Sequence, residues 1–337
     1  MKPSVSVIGG GSWGSTIAHL IGLCGHEVLL WCRSAEKADE INVQRTNAKY
    51  LGELQLSPHI RATTDLSEAV KGVPVVFVVV PSKAFRETAR AIGDLCSPDQ
   101  YLVHATKGLE PKSHKRMSEI LLQETCVRQI GVLSGPNIAP ELCAGKPAGT
   151  VIASRYPRLA TKVQELLASE IMRVYANDDV LGVELGGTLK NIVAIGAGMA
   201  AQMELGENAK ALLITRGLSE ISRVGVALGA NPMTFAGLAG IGDLIVTCSS
   251  PFSRNHRVGR RLAQGDKLEA IIETLGMVAE GVTATRVAWE IARELRLETP
   301  LLDGIFRVLY EGMHPQTALV ELMRVASQQD IDQLLAR

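Results

Sequence analysis

Residues 4–20 read SVSVIGGGSWGSTIAHL. A short β-branched run, Val5 to Ile8, passes directly into three glycines, and a helix-compatible stretch follows. Glycine loses more backbone freedom on ordering than any other residue, so the cluster needs a reason. Gly9, Gly11 and Gly14 make G-x-G-x-x-G. In that pattern Gly9 permits a tight turn, Gly11 lets a pyrophosphate approach the backbone, and Gly14 lets helix and strand pack closely. The helix N-terminus offers free N–H groups and its dipole to the phosphates. The competing reading is an ordinary Gly-rich turn. A second strand, HEVLLWCR at 26–33, begins about a helix-length later, as a βαβ unit requires, and favours dinucleotide binding.

The end of that second strand bears on cofactor choice. An NAD-selective site carries Asp or Glu about 20 residues beyond the fingerprint, bonded to the ribose 2′-OH. Here the strand ends Trp31-Cys32-Arg33-Ser34, with no acid. Arg33 can pair with a 2′-phosphate, or it can be a solvated strand-end arginine. The expectation is NADP(H) in preference to NAD(H), with NAD(H) also accepted.

Working outward, the first half alternates strand-like and helix-like segments. Strand candidates are VVFVVV (75–80), QYLVHAT (100–106), QIGVLSG (129–135) and GTVIAS (149–154), with weaker ones at HIRATT (59–64) and IMRVYAN (171–177). Between them lie helix candidates such as 82–95, 113–125 and 157–170. The alternation predicts a doubly wound, Rossmann-type, mostly parallel sheet, its ligand beyond the C-terminal strand ends. After about Asn177 strand signals nearly vanish. Helical patterns over 183–206, 208–229, 282–296, 300–312 and 315–324, punctuated by Gly and Pro, predict an all-α C-terminal domain. The expected division is a dinucleotide-binding domain over 1–178 and a helical substrate-binding domain over 179–337, with the active site in the cleft between them.

Composition narrows the function. The 337 residues hold 35 basic and 35 acidic side chains, a formal charge of zero, so no basic excess advertises nucleic acid. The six cysteines are scattered without a C-x-x-C pair, which argues against a zinc cluster or disulfide framework and fits a reducing cytoplasm. The first strand comes at once, so no signal peptide is expected. The apolar run VPVVFVVVP (73–81) is too short to span a bilayer and reads as a buried parallel strand. No membrane insertion is expected.

Four further stretches can carry chemistry. Lys107 ends the strand 100–106, where a ligand-facing lysine competes with a solvated one. Ser134-Gly135-Pro136 makes a rigid turn in which Asn137 can cap the next helix. In VELGGTLKNIVAIGAG, Lys190 and Asn191 sit among glycines, each costing about 1 kcal/mol in a helix interior, which suggests close approach by another helix or a ligand. The bland alternative is a snorkelling surface lysine. In 237–262, Asp243 sits in a glycine turn, Thr247 follows one helical turn later, and Ser253 can cap a helix beginning Arg254-Asn255. A helix N-terminus beside an arginine suits a dianion.

Taken together, GGGSWG (9–14), TKGLE (106–110), SGPNIAPELCAGKP (134–147), ELGGTLKN (184–191), GLAGIGDLIVTCSSPFSRNHRVG (237–259) and VAEGVTA (278–284) closely resemble the bacterial NAD(P)-dependent glycerol-3-phosphate dehydrogenases. The resemblance runs from the first strand to the last helices. It implies interconversion of dihydroxyacetone phosphate and sn-glycerol 3-phosphate, usually for glycerophospholipid synthesis. It implies a catalytic role for Lys190, and substrate contacts from Lys107, Gly135, Asn137, Lys190, Asn191, Asp243, Thr247, Ser253, Arg254 and Asn255. Asn137 departs from the serine common there. Cofactor contacts are implied for Ser12, Trp13, Arg33, Lys107, Ala139, Arg254, Val278 and Glu280, beside Gly9, Gly11 and Gly14. A metal is not needed, because a lysine can polarise the carbonyl. The rival readings are a β-hydroxyacid dehydrogenase of the 6-phosphogluconate type, against which the SRN and GDL stretches argue, and a non-catalytic NADP(H)-sensing regulator. A helical domain of this kind can form a homodimer, though no heptad or exposed stripe decides it.

Overall fold

The computed structural model describes residues 4–275 and 279–324. They form two compact units: 4–106 with 116–180, and 107–115 with 181–324. The first is built on eight strands: β1 (Val5–Ile8), β2 (Val28–Trp31), β3 (Ile60–Thr63), β4 (Val75–Val78), β5 (Tyr101–His104), β6 (Ile130–Ser134), β7 (Ala148–Ser154) and β8 (Met172–Asn177). Their order is β3-β2-β1-β4-β5-β6-β7-β8. Every neighbouring pair is parallel except β6 and β7, which run antiparallel.

Burial follows from this order. β1 and β4 lie mid-sheet with helices on both faces, so every residue of each is buried and the strands read as continuous apolar runs. Val75 and Phe77 enter the core on one face, Val76 and Val78 that on the other. The edge strands β3 and β8 instead expose Arg61 and Arg173 respectively, charges that blunt the edges against pairing with another chain. The strand order reverses between β1 and β4, and the glycines Gly9 to Gly11 follow directly on β1 at that switch point.

The second unit packs helices around one apolar core. Its central helix, Val180–Gln202, is buried continuously from Gly182 to Ala200. By length and composition it is apolar enough to cross a membrane, but 89% of that window is covered by the protein itself. Of the glycines noted in this helix, Gly186 and Gly198 admit protein backbone, while Gly196 faces the side chains of Ile305 and Leu213. A Cβ at Gly198 would lie 2.0 Å from the His256 carbonyl oxygen, and one at Gly259 would lie 1.9 Å from that of Ile195. The helices Val180–Gln202 and Arg254–Ala263 therefore cross with backbones touching. A helix, not a ligand, is the close neighbour at Gly198.

Candidate active site

Lys190 lies on the central helix of the second unit and is 6% exposed, so it is not the snorkelling surface lysine. Its Nζ donates to Asp243 Oδ1 and, at 2.5 Å, to Thr247 Oγ1. The Thr247 hydroxyl in turn donates to the Asp243 carbonyl oxygen at 2.7 Å. That leaves its lone pairs for Lys190 and fixes the direction from which the ammonium is held. Asp243 begins the helix Asp243–Ser249, straight after a π-helical turn over Leu238–Gly242, where the sequence suggests a glycine turn. A Cβ at Gly186 would lie 2.7 Å from the Ala239 carbonyl oxygen in that turn, so the turn sits tight against the Lys190 helix and delivers Asp243 to it.

Lys107 reaches the same carboxylate, donating to Asp243 Oδ2 at 2.6 Å. The segment 107–115 is held in the second unit by Leu109, which is 3% exposed in its core, and by His114, 2.9 Å from Glu290. Two ammonium groups thus share one carboxylate that is 1% exposed. Burial pushes the Lys190 ammonium down to about 8, with Lys107 adding to the effect and Asp243 opposing it. Of the three N–H groups on the ammonium, Asp243 and Thr247 take two, leaving one to donate.

Around this centre, Asn255 ties two helices together. It donates to Asn191 Oδ1 at 2.9 Å and accepts from the Gly281 N–H at 3.0 Å, next to Glu280, the first residue of the helix Glu280–Glu294. Ser253 caps the helix Arg254–Ala263 by accepting from the His256 N–H, as expected, and Arg254 is exposed at its first position. The second unit therefore gathers Lys107, Lys190, Asn191, Asp243, Thr247 and Asn255, with Ser253 and Arg254 at the adjoining helix start. Val278 lies outside the described residues.

The remaining candidates belong to the first unit. Gly9 has φ +126°, and a Cβ there would lie 2.3 Å from the Val79 carbonyl oxygen. A Cβ on Gly14 would lie 1.9 Å from the carbonyl oxygen of Gly9, so both glycines are sterically required. Gly11 differs: a Cβ there would meet nothing within 4 Å. It is the N-cap of the helix Ser12–Leu23 and supplies no side-chain cap, so open space lies before a helix start whose N–H groups suit a pyrophosphate. Trp13 Nε1 is shielded from solvent with no hydrogen-bond partner among the described residues. These features fit a dinucleotide. Arg33 is exposed at the end of β2.

Gly135, Asn137 and Ala139 follow β6. Here the structure corrects an expectation, because the N-cap of the helix Ala139–Cys143 is Ile138 and no side chain caps it. Asn137 instead donates to the Gly149 carbonyl at 3.2 Å and accepts from Thr150 Oγ1 at 2.9 Å. Its amide satisfies the start of β7 rather than the helix.

Three residues of the site region carry no signal in the sequence. Asn47, fully buried, donates to the Gly10 carbonyl at 3.2 Å and to Ser15 Oγ at 2.8 Å, pinning the glycine loop. Lys37 Nζ lies 4.4 Å from the Tyr50 ring centroid, and its stem would be 3.3 Å from a Cβ on Gly10. No spacing rule singles out these three; a buried asparagine reads as a loop residue. Among the described residues no group of three or more His, Cys, Asp or Glu is placed to hold a metal.

Comparison with known proteins agrees over nearly the whole chain. Residues 4–160 match the family model for the N-terminus of NAD-dependent glycerol-3-phosphate dehydrogenase, and residues 179–320 match the model for its C-terminus. The chain is 46% identical over 334 residues to a glycerol-3-phosphate dehydrogenase (NAD(P)+) of an Exiguobacterium species, covering 98% of each. A protein of the same name from Enterococcus faecalis is 46% identical, with 96% of each chain covered. The crystal structure of glycerol-3-phosphate dehydrogenase from Coxiella burnetii is similar with a TM-score of 0.91 at 35% identity, covering 96% of this chain and 99% of that one.

Proposed function

Given that this chain belongs to the NAD(P)-dependent glycerol-3-phosphate dehydrogenases, we propose that it reduces dihydroxyacetone phosphate to sn-glycerol 3-phosphate with Lys190 as proton donor. Membership makes it an oxidoreductase. The observation that carries the proposed mechanism is the buried Lys190–Asp243–Lys107 cluster.

The chemistry sets three demands. A bound nicotinamide supplies or accepts hydride at the substrate C2. The C2 oxygen needs a proton as the carbonyl becomes an alcohol. The substrate phosphate needs cationic neighbours. A lysine free in water, with a pKa of about 10.4, is a poor base at neutral pH. Lys190, brought to about 8 by burial, can donate a proton in reduction and take one back in oxidation near physiological pH. Asp243 and Thr247 hold its Nζ, and Lys107 keeps the cluster cationic enough to polarise the C2 oxygen. Arg254, at the helix start capped by Ser253, takes the phosphate, where guanidinium and helix dipole act together.

For the cofactor, Gly9, Gly11, Ser12 and Gly14 would hold the pyrophosphate and Trp13 would lie over the dinucleotide. Arg33 would meet a 2′-phosphate, so NADP(H) is preferred to NAD(H). Lys37 strengthens that reading, since its stem lies against Gly10 of the same loop. The product suits glycerophospholipid synthesis. All six cysteines are free thiols, which suits a reducing cytoplasm.

The test is NADPH oxidation by the purified chain with dihydroxyacetone phosphate, and again with unphosphorylated dihydroxyacetone. Arg254→Ala should impair the phosphorylated substrate by about 10- to 100-fold, the worth of a charge-assisted contact, and the other far less. Equal loss on both substrates would move Arg254 out of the phosphate site.

A further inference from the structure

In the first unit, the helices Ser82–Gly93 and Met117–Glu124 end side by side. A Cβ on Gly93 would lie 1.9 Å from the Glu124 carbonyl oxygen. The Glu124 carboxylate is held by Arg86 and Arg90 from the facing helix, the latter at 3.1 Å. This junction is rigid by construction: one side chain is omitted to let backbones touch, and one carboxylate bridges two arginines. Just past it, Cys96 and Cys126 bring their Sγ atoms to 3.8 Å. The Cys126 thiol also lies 3.6 Å from the Cys96 carbonyl oxygen. Cys126 is exposed and Cys96 half-buried. The dehydrogenase chemistry uses neither.

We propose that Cys96 and Cys126 form a reversible intramolecular disulfide, a redox modification site that reacts with low-molecular-weight disulfides. Cys126, the exposed member, meets the oxidant first. Its thiolate attacks one sulfur of the small disulfide, forming a mixed disulfide and releasing one small thiol. Cys96 then gives up its proton and attacks the Cys126 sulfur, releasing the second small thiol. Two protein thiols have been oxidised by two electrons, and one small disulfide has been reduced to two thiols. Burial pushes the Cys96 thiol up to about 11, with the hydrogen bond to Cys126 adding to it, so Cys96 is the poorer first nucleophile, and its nearness to the Cys126 sulfur is what lets it attack in the second step. The sulfurs, 3.8 Å apart, must close to about 2.05 Å to form the bond.

The bond would close a loop between positions 30 apart, a loop that contains β5 and Lys107. Restricting that loop in the unfolded chain should raise Tm by roughly 3–10 °C.

The experiment treats the full-length protein with excess oxidised glutathione at mildly alkaline pH, alkylates the remaining thiols, and maps peptides without reduction. The expected result is a Cys96–Cys126 linked peptide, accompanied by the Tm rise, with both reversed by dithiothreitol. Cys96→Ser should instead hold Cys126 as a glutathione adduct with no Tm rise, because the resolving thiol is gone. The proposal is overturned if the parent protein keeps Cys126 as a glutathione adduct, or leaves both thiols open to alkylation, under the same treatment.

Discussion

Around Gly11 and around Gly198 the chain omits side chains for opposite reasons. A Cβ at Gly11 would meet nothing within 4 Å, whereas one at Gly198 would lie 2.0 Å from the His256 carbonyl oxygen. The first glycine leaves open space before a helix start; the second brings backbone against backbone. The two sites differ accordingly. In the first unit, glycines and a helix start offer N–H groups, and few side chains are involved. In the second, a buried interior holds Lys190 and Asp243, and Lys107, 20% exposed, reaches the same carboxylate. A defect at the open helix start should appear in cofactor affinity. A defect in the buried interior should appear in turnover or in stability.

The largest expected effect is at Lys190. Lys190→Ala should lower kcat by about 10²- to 10⁴-fold, the usual worth of a positioned acid or base. NADPH affinity, read by fluorescence titration, should change little, since the fingerprint glycines belong to the first unit. Lys190→Arg should rescue little, because guanidinium holds its proton too tightly and has another shape. A correctly folded Lys190→Ala with turnover within a few-fold of the parent would shift the proton-transfer role to Lys107.

Next in size is the helix crossing. Gly198→Ala or Gly259→Ala forces a methyl into a backbone carbonyl, and such overpacking costs about 1–3 kcal/mol. Thermal melts should show Tm lower by roughly 3–10 °C. An unchanged Tm would mean that the crossing relaxes freely and the contrast with Gly11 fails.

Gly11→Ala sharpens the contrast from the other side. Its melt should match the parent because the space is open, while NADPH affinity should fall by roughly tenfold as the methyl obstructs a charge-assisted backbone contact. Arg33→Asp should act more narrowly still, weakening NADPH by about tenfold relative to NADH. Equal loss for both cofactors would dismiss the 2′-phosphate contact.

The smallest and most diagnostic effect is in pH. With Lys190 at about 8, reduction needs the ammonium, so its rate should hold below that value and decline above it. Oxidation needs the free amine, so its rate should climb with pH toward 8 and level off beyond. Stability shifts in a matching way. The folded lysine titrates at about 8 and the unfolded one near 10.5, so the unfolded chain binds more protons between them. This group's contribution to stability is therefore greatest above 10.5 and is lost as pH falls through 8.

Much of this is legible in the sequence, for reasons particular to each element. β1 and β4 are buried on both faces, so they read as unbroken apolar runs. β8 carries Arg173 and Tyr175 outward and gives a weaker signal. The antiparallel pairing of β6 and β7 has no residue pattern of its own. Length does not mark it either, since residues 64–74, holding only the short helix Leu66–Val70, join the parallel strands β3 and β4. Lys190 stands out because an ammonium among helix glycines is physically odd. Asn47, Lys37 and Tyr50 do not, because their partners are set by tertiary contacts with no sequence period behind them.

The segment 107–115 also has consequences for how the molecule is made. Lys107 and Asp243 are 136 positions apart, so a ribosome delivers one partner long before the other. Until the chain beyond 181 emerges, Leu109 has no core to enter, since the residues that surround it belong almost wholly to the later part. Non-local closure of this kind slows folding and prolongs exposure of apolar surface. A chain divided at 178/179 would yield one fragment with Leu109 stranded in water and another with a gap where that side chain should pack.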